Sequence, residues 1–507
     1  MQVPGIGSWL VKREFLTPSK EAVVDGEKRL SYRELNHRVN RLSHALLAMD
    51  LQIGDRVAIL SYNRVEFLEV IMAAAKLGLI LVPLNWRLTA PELAFILNDS
   101  GAETLFFDAG LVELVEGVGD QTPLKQVIAF GEKDMPRVGA YETLVVDQLD
   151  SEPEIDPAPD LDTPHIIMYT AGTTGKPKGA LLSQGASFWN ALNLNLAMDF
   201  TSGDRNLLVL PMFHIGGIGL FTLPMIYDGG TVVIQRTFDP VKTLALLREE
   251  NITLFFGVPA IFLALIQYPE FKAEAFKSVR VVMSGGAPLP VSLVEQYHQA
   301  GIVLQQGFGM SEAAPSIATL DKNLALEKAG SIGRAVMHLQ ARVVDDNMQV
   351  LPAGRVGELV IRGPNLMQGY WNRPEATKEA FSGGWFHTGD LARMDADGCL
   401  YIVERKKDMF ISGGENVYPA EVENAIFQIP KIAEVAVIGA KDPKWGEVGR
   451  AVVVLKEGRK VTADDIIDHL KGSLAKYKIP KSVVFIDQLP RNAAGKVLKN
   501  RLRDEYS

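Results

Sequence analysis

Eleven consecutive residues, 169-YTAGTTGKPKG-179, hold three glycines, three threonines and two lysines. Glycines let several backbone N–H groups turn toward one anion, hydroxyls add donors, and lysines supply positive charge. Such a stretch can grip phosphate. A Walker loop needs G-x-x-x-x-G-K-[ST], with the final hydroxyl reaching a metal ion. Here the spacing after Gly172 is shorter, and Pro177 stands where that hydroxyl is required. The Walker reading therefore fails, and a solvated hairpin turn competes for residues of these types. A second chemical candidate, His214, lies between Phe213 and Ile215 in an apolar, glycine-rich stretch, where a satisfied core histidine is the plainer reading.

The elements around the loop predict an α/β fold. Ser31 and Glu34 form a capping-box pattern, after which Leu35, Val39, Leu42 and Leu46 share one helical face. A strand over 56–60, a helix over 66–77, a strand over 79–84, a helix opened by Thr89 and Pro91, and a strand over 103–107 follow. This alternation predicts a sheet buried on both faces. The apolar run 67–84 is broken by Glu69, Lys76 and Pro83, so it reads as helix, turn and strand, not as a bilayer span. Residues 150–164, rich in proline and acid, read as a surface connector, and further strands are expected at 231–235, 252–259 and 279–286.

A chain of 507 residues needs more than one domain. We expect a boundary at 404/405, with residues 1–404 as a large multi-subdomain α/β domain and 405–507 as a small α+β domain. A net charge of −9 argues against a nucleic-acid binder working through a broad basic face. The single cysteine, Cys399, excludes an internal disulfide framework and suits a reducing cytosol. No signal-peptide core opens the sequence. A cytoplasmic protein without a transmembrane segment is expected.

Six further stretches occur in order: 211-PMFHIGG-217, 284-SGGAPLP-290, 308-FGMSE-312, 387-HTGD-390, 405-RKKDMFISGGENVYPAEVE-423 and 490-PRNAAGK-496. Together with the loop they resemble the ordered motifs of adenylate-forming enzymes, the superfamily of acyl-CoA synthetases, luciferases and peptide-synthetase adenylation domains. The likeness spans nearly the whole chain. Ser311 replaces the commoner threonine and preserves the hydroxyl.

The resemblance implies two half-reactions. A carboxylate attacks the α-phosphate of ATP to give an acyl adenylate and pyrophosphate, and a thiol, normally that of coenzyme A, then displaces AMP. Thr170, Thr173, Thr174, Gly175 and Lys176 would cradle the outer phosphates. Gly286, Ala287, Pro288, Gln306, Gly307, Phe308, Gly309, Met310, Ser311 and Ile402 would bind the nucleotide. Asp390 would accept from the ribose hydroxyls, helped by Arg405. Glu312 would hold Mg²⁺, a hard cation that prefers oxygen ligands. Lys496 would neutralise the carboxylate and α-phosphate as they meet. Phe213, His214, Gly257, Gly285, Gly307 and Met310 would line the acyl pocket. Ser412, Gly413 and Gly414 would line the thiol path. Lys407 would be the hinge of a mobile C-terminal lid, and the family often forms homodimers.

The substrate-wall motif has no acid to hold an amino group, so an amino-acid substrate is disfavoured. The glycines around His214 suggest open volume, which favours a medium- or long-chain fatty acid. An aryl acid is the alternative, as is transfer to a carrier protein. A luciferase-type oxidation is disfavoured only by its rarity. A silent nucleotide-binding protein remains the reading from another class, opposed by the retention of Glu312, Asp390, Arg405 and Lys496 together.

Overall fold

The computed structural model describes residues 3–119, 121–131, 138–170, 177–412, 415–471, 474–491 and 497–506. They form a mixed α/β structure divided into two compact units: Met1–Gln340 with Arg362–Ser382, and Ala341–Ile361 with Gly383–Ser507. Position 404/405 lies inside the second unit, at the end of the strand Leu400–Arg405.

The first unit holds two large sheets. In an eight-stranded sheet, the strands Arg56–Leu60, Ile80–Leu84, Thr104–Asp108 and Gln126–Phe130 run parallel. Every residue of Ile80–Leu84 and Thr104–Asp108 is buried, as expected of strands covered on both faces. The antiparallel strands Pro164–Thr170 and Lys178–Ser183 join this sheet and hold the two ends of the phosphate-loop motif. The nine-stranded sheet has a parallel run of Arg205–Leu208, Leu254–Gly257, Val281–Ser284 and Leu304–Gly309.

Local signals explain the helices between them. Ser31 and Glu34 close a reciprocal capping box at the start of Tyr32–Ala48, and Leu35, Val39, Leu42 and Leu46 are fully buried. Thr89 and Glu92 do the same for Ala90–Ser100. The apolar run resolves into the helix Val65–Leu77 and the strand Ile80–Leu84, parted by Gly78 at φ +67°, a left-handed cap that glycine adopts without strain. Among the described residues no helix is long and apolar enough to cross a membrane.

The second unit is built on a four-stranded antiparallel sheet containing Phe386–Met394 and Leu400–Arg405, and on a five-stranded sheet. The latter centres on the hairpin Ile432–Asp442 and Gly446–Leu455. The helices Pro419–Phe427 and Ala463–Lys471 cover it by burying Val422, Ile426, Ile466 and Leu470 against Val437, Ala451 and Val453. Each such side chain contributes roughly 1.5–3 kcal/mol of apolar burial.

Candidate functional site

In the first unit the strand Leu304–Gly309 runs into the short turn Ser311–Ala313, which presents Glu312. Packing here is at backbone contact. A Cβ on Gly309 would stand 2.2 Å from the Pro315 carbonyl oxygen, and the Met310 N–H donates to that same oxygen at 2.9 Å. The fully buried Asn365 amide donates to the Ala313 and Ser316 carbonyls at 2.7 and 2.8 Å. The Met367 N–H reaches the Glu312 carbonyl at 2.8 Å. From the helix Gln184–Met198, Asn190 accepts from the Ser316 N–H at 3.0 Å and donates to the Gly219 carbonyl at 2.6 Å.

The Glu312 carboxylate is largely buried and accepts from the Tyr370 hydroxyl at 3.0 Å. Tyr370 pairs with Ala180 on the strand that leaves the phosphate-loop motif, and the Lys178 ammonium lies 5.4 Å from its ring centroid. Glu312 is thereby linked to the hairpin bearing Thr170, whose hydroxyl donates to the Lys178 carbonyl at 3.4 Å. Thr173, Thr174, Gly175 and Lys176 lie outside the described residues.

The adenine-side motif is exposed at Gly286, Ala287 and Pro288, with Gly286 at φ +80°. Behind it, Ser284 and Gln306 are register partners on adjacent strands. Among the described residues the buried Ser284 hydroxyl and Gln306 amide oxygen have no hydrogen-bond partner, an arrangement suited to a ligand that donates to them. Phe308 and Met310 are half-buried and Ser311 is buried beside them.

Phe213 and His214 lie within the acyl-wall motif. The imidazole is accessible to solvent yet set deep among protein atoms, as on the wall of a recess, and this desolvation pushes its pKa below the ordinary histidine value. Its Nδ1 accepts from the Gly216 N–H at 3.2 Å, which assigns the neutral ring its proton on Nε2. Phe213 packs edge-on to Trp86 at 6.2 Å, and the Arg87 guanidinium lies over both rings.

Apart from Gly216, where a Cβ would meet only ordinary contacts at 3.4–3.5 Å, the glycines do not leave the open volume expected from the sequence. A Cβ on Gly217 would stand 2.2 Å from the Pro211 carbonyl oxygen, and one on Gly219 would stand 2.6 Å from that of Ala314. Gly307 faces the Met283 methyl at 2.2 Å, and Gly285 faces the Gly307 carbonyl at 2.8 Å and the Phe256 ring at 3.1 Å. Gly257 is closed by Ile261 and Phe262. These glycines serve close approach, and the space beside them is already filled.

The second unit brings another pair together. Asp390, 2% exposed, accepts from the Arg405 Nε at 2.8 Å, the two being register partners on adjacent strands. Arg405 also donates to the Thr388 carbonyl at 3.2 Å, and Ile402 pairs with Ala392 along the same ladder. Lys407 is exposed and Ser412 buried, whereas Gly413, Gly414 and Lys496 lie outside the described residues. Tyr370, Asn190 and Asn365 were not foreseen. A signal existed only for Asn190, one of three asparagines in the otherwise apolar 186-ASFWNALNLNLAM-198. A recess of about 200 Å³ shares no residue with the motifs, and one of about 420 Å³ touches them only at Pro490 and Arg491, so neither locates the site.

Family comparison decides the assignment of this geometry. The description "AMP-binding enzyme" matches residues 13–371, and "AMP-binding enzyme C-terminal domain" matches 421–496. The chain belongs to the AMP-binding enzyme family. A feruloyl-CoA synthase of an Amycolatopsis species is 42% identical over 506 residues, with all of both chains covered. A long-chain-fatty-acid–CoA ligase of Mycobacterium tuberculosis is 38% identical, covering 99% of this chain and 98% of the relative. Among solved structures, o-succinylbenzoate CoA synthetase from Bacillus subtilis, bound to its acyl-adenylate intermediate, has a TM-score of 0.88 at 34% identity, with 99% of each chain covered. This AMP-binding enzyme is an AMP-forming, ATP-dependent acid–thiol ligase of the acyl-CoA synthetase kind.

Proposed function

We propose that this AMP-binding enzyme activates an aryl carboxylic acid, of the hydroxycinnamate or benzoate class, through its adenylate to its coenzyme A thioester. The observation that carries this reading is the filling of the glycine sites at the strand ends by Met283 and Phe256. A methionine methyl and an aromatic edge at these sites suit a flat ring better than an extended chain. The feruloyl and succinylbenzoyl relatives carry acids of this shape. The fatty-acid reading keeps the support of the 38% identical long-chain ligase.

In this reading the neutral His214 presents Nε2–H from the acyl wall, where it orients the incoming carboxylate without adding a charge. Glu312 would hold a magnesium ion, which supplies neutralisation of phosphate charge when bound with ATP. Tyr370 holds that carboxylate against the phosphate hairpin. Thr170, Thr173, Thr174, Gly175 and Lys176 cradle the outer phosphates, and Gln306 and the 286–288 loop receive the nucleoside. Asp390, oriented by Arg405, accepts from the ribose hydroxyls. Lys496 brings carboxylate and α-phosphate together. A lid beginning near residue 405 turns at Lys407, and the Ser412–Gly413–Gly414 path then admits the thiol.

The test is pyrophosphate release with hydroxycinnamates, benzoates and C4–C18 fatty acids, with and without coenzyme A. Aryl acids should exceed every fatty acid by at least about tenfold in kcat/KM, a difference of about 1.4 kcal/mol. Faster turnover of a C8–C18 fatty acid would overturn the aryl assignment. Lys496→Ala should abolish adenylation and spare thioester formation from a supplied acyl adenylate.

A further inference from the structure

Between the acyl-wall segment and the Glu312 turn sits one side chain, Asn190, that bonds to both. It is 1% exposed, and both ends of its amide are occupied. The Nδ2 group donates to the Gly219 carbonyl at 2.6 Å, inside the π-turn Gly216–Leu220 that follows His214. The Oδ1 atom accepts from the Ser316 N–H at 3.0 Å, four residues beyond Glu312. Gly219 also lies against the same turn, since a Cβ there would stand 2.6 Å from the Ala314 carbonyl oxygen. A π-turn frees a carbonyl that an α-helix would use internally, and short π segments recur at functional sites. Here the Gly219 carbonyl, inside the π-turn, accepts from Asn190.

We propose that Asn190 is a positioning residue that locks the acyl wall to the Glu312 turn, so that the acid and the magnesium-bound phosphates share one frame. This rests on the roles given above to His214 and Glu312. The place calls for a group that donates on one side and accepts on the other, as an amide does, in a buried setting where either unmet group costs roughly 1–3 kcal/mol. Two backbone segments 97 residues apart at their bonded atoms (219 and 316) are thus set by a single planar group. The arrangement predicts that damage at Asn190 is read at both substrates, although Asn190 touches neither.

Two variants separate the two bonds. Asn190→Asp keeps an acceptor for Ser316 and places a carboxylate oxygen against the Gly219 carbonyl. Asn190→Ala removes both bonds. In the adenylation half-reaction, followed by pyrophosphate release, Asn190→Asp should raise KM for the acid about tenfold while leaving half-saturation by Mg²⁺ within about twofold. Asn190→Ala should raise both about tenfold. A residue that only stabilises the fold would lower the amount of active enzyme and leave both constants unchanged, and that result would overturn the proposal. If Asn190→Ala does not fold, the acid KM of Asn190→Asp decides alone, and an unchanged value counts against the proposal. His214→Ala and Glu312→Gln in the same assay test the underlying roles: if they move the acid KM and the Mg²⁺ dependence while the Asn190 variants move neither, only the coupling fails. If Glu312→Gln leaves the Mg²⁺ dependence unchanged, the metal assignment itself is wrong.

Discussion

The turn that carries Glu312 and the strand pair that carries Asp390 and Arg405 are secured by opposite means. Around Glu312 the partners are neutral: Asn190, Asn365, Tyr370 and glycines at backbone contact. In the second unit the partners are charged. Asp390 meets Arg405 at 2.8 Å, Lys499 meets Glu423 at 2.8 Å and Glu404 at 3.6 Å, and Arg503 meets Asp408. Neutral hydrogen bonds at backbone contact define a position and tolerate almost no added atom. Ion pairs define a set of partners and tolerate small displacements, but removing one member strands the others in a low dielectric. The first construction suits a ligand whose distance to phosphate must be fixed. The second ties the strands and helices of its unit together through charge.

The sharpest way to break this contrast is Glu312→Gln. Adenylation at fixed Mg²⁺ should fall roughly 10²–10³-fold, measured by pyrophosphate release, because the proposed carboxylate ligand of the magnesium ion that neutralises phosphate charge is lost. A loss under about tenfold would remove Glu312 from the rigid half of the comparison. Next comes Lys499→Met, which leaves Glu404 and Glu423 facing each other. Burial already pushes the Glu404 pKa up, so the second unit should lose about 3 kcal/mol in a denaturant titration, and Glu404→Gln in that background should recover part of it.

The neutral half also has a titratable exception. His165 is fully buried and burial lowers its pKa to about 4, while unfolding returns it to the ordinary 6.5. Because the folded pKa is the depressed one, its contribution is complete above pH 6.5 and is lost as pH falls toward 4, by about 3 kcal/mol. His165→Leu should flatten this acid limb in stability measured against pH. The smallest expected effect is that of Tyr370→Phe, which leaves Glu312 in place but frees its carboxylate. It should raise half-saturation by Mg²⁺ about tenfold with little change in stability.

What the sequence discloses follows the range of the interaction. The capping boxes at Ser31 and Thr89 and the buried face of Tyr32–Ala48 are local, and they stand as expected. The motif residues Glu312, Asp390 and Arg405 are legible because each sits in a contiguous string. Tyr370, Asn190 and Asn365 are not, since their bonds span 58, 126 and 52 residues to the turn they support. The glycines are a different case. Their presence was visible and their meaning was inverted, because a missing side chain signals an open cavity and a tight contact equally well until the neighbouring backbone is placed.

One buried lysine also bears on how the chain assembles. Lys76 ends an apolar helix and is 4% exposed at its side chain, held by Asn36 at 2.9 Å, Asn40 at 2.7 Å and Glu152 in the acidic connector. Its counter-ion lies 76 residues further along the chain. At a synthesis rate of roughly 5–20 residues per second, the helix Val65–Leu77 emerges seconds before that charge can be neutralised. For that interval it is an apolar segment with one unpaired ammonium, the state in which a nascent chain most needs shielding. The connector, which looks dispensable as a linker, is thus the closing piece of the first unit, and shortening it across Glu152 should lower the yield of soluble protein before it alters any property of the finished enzyme.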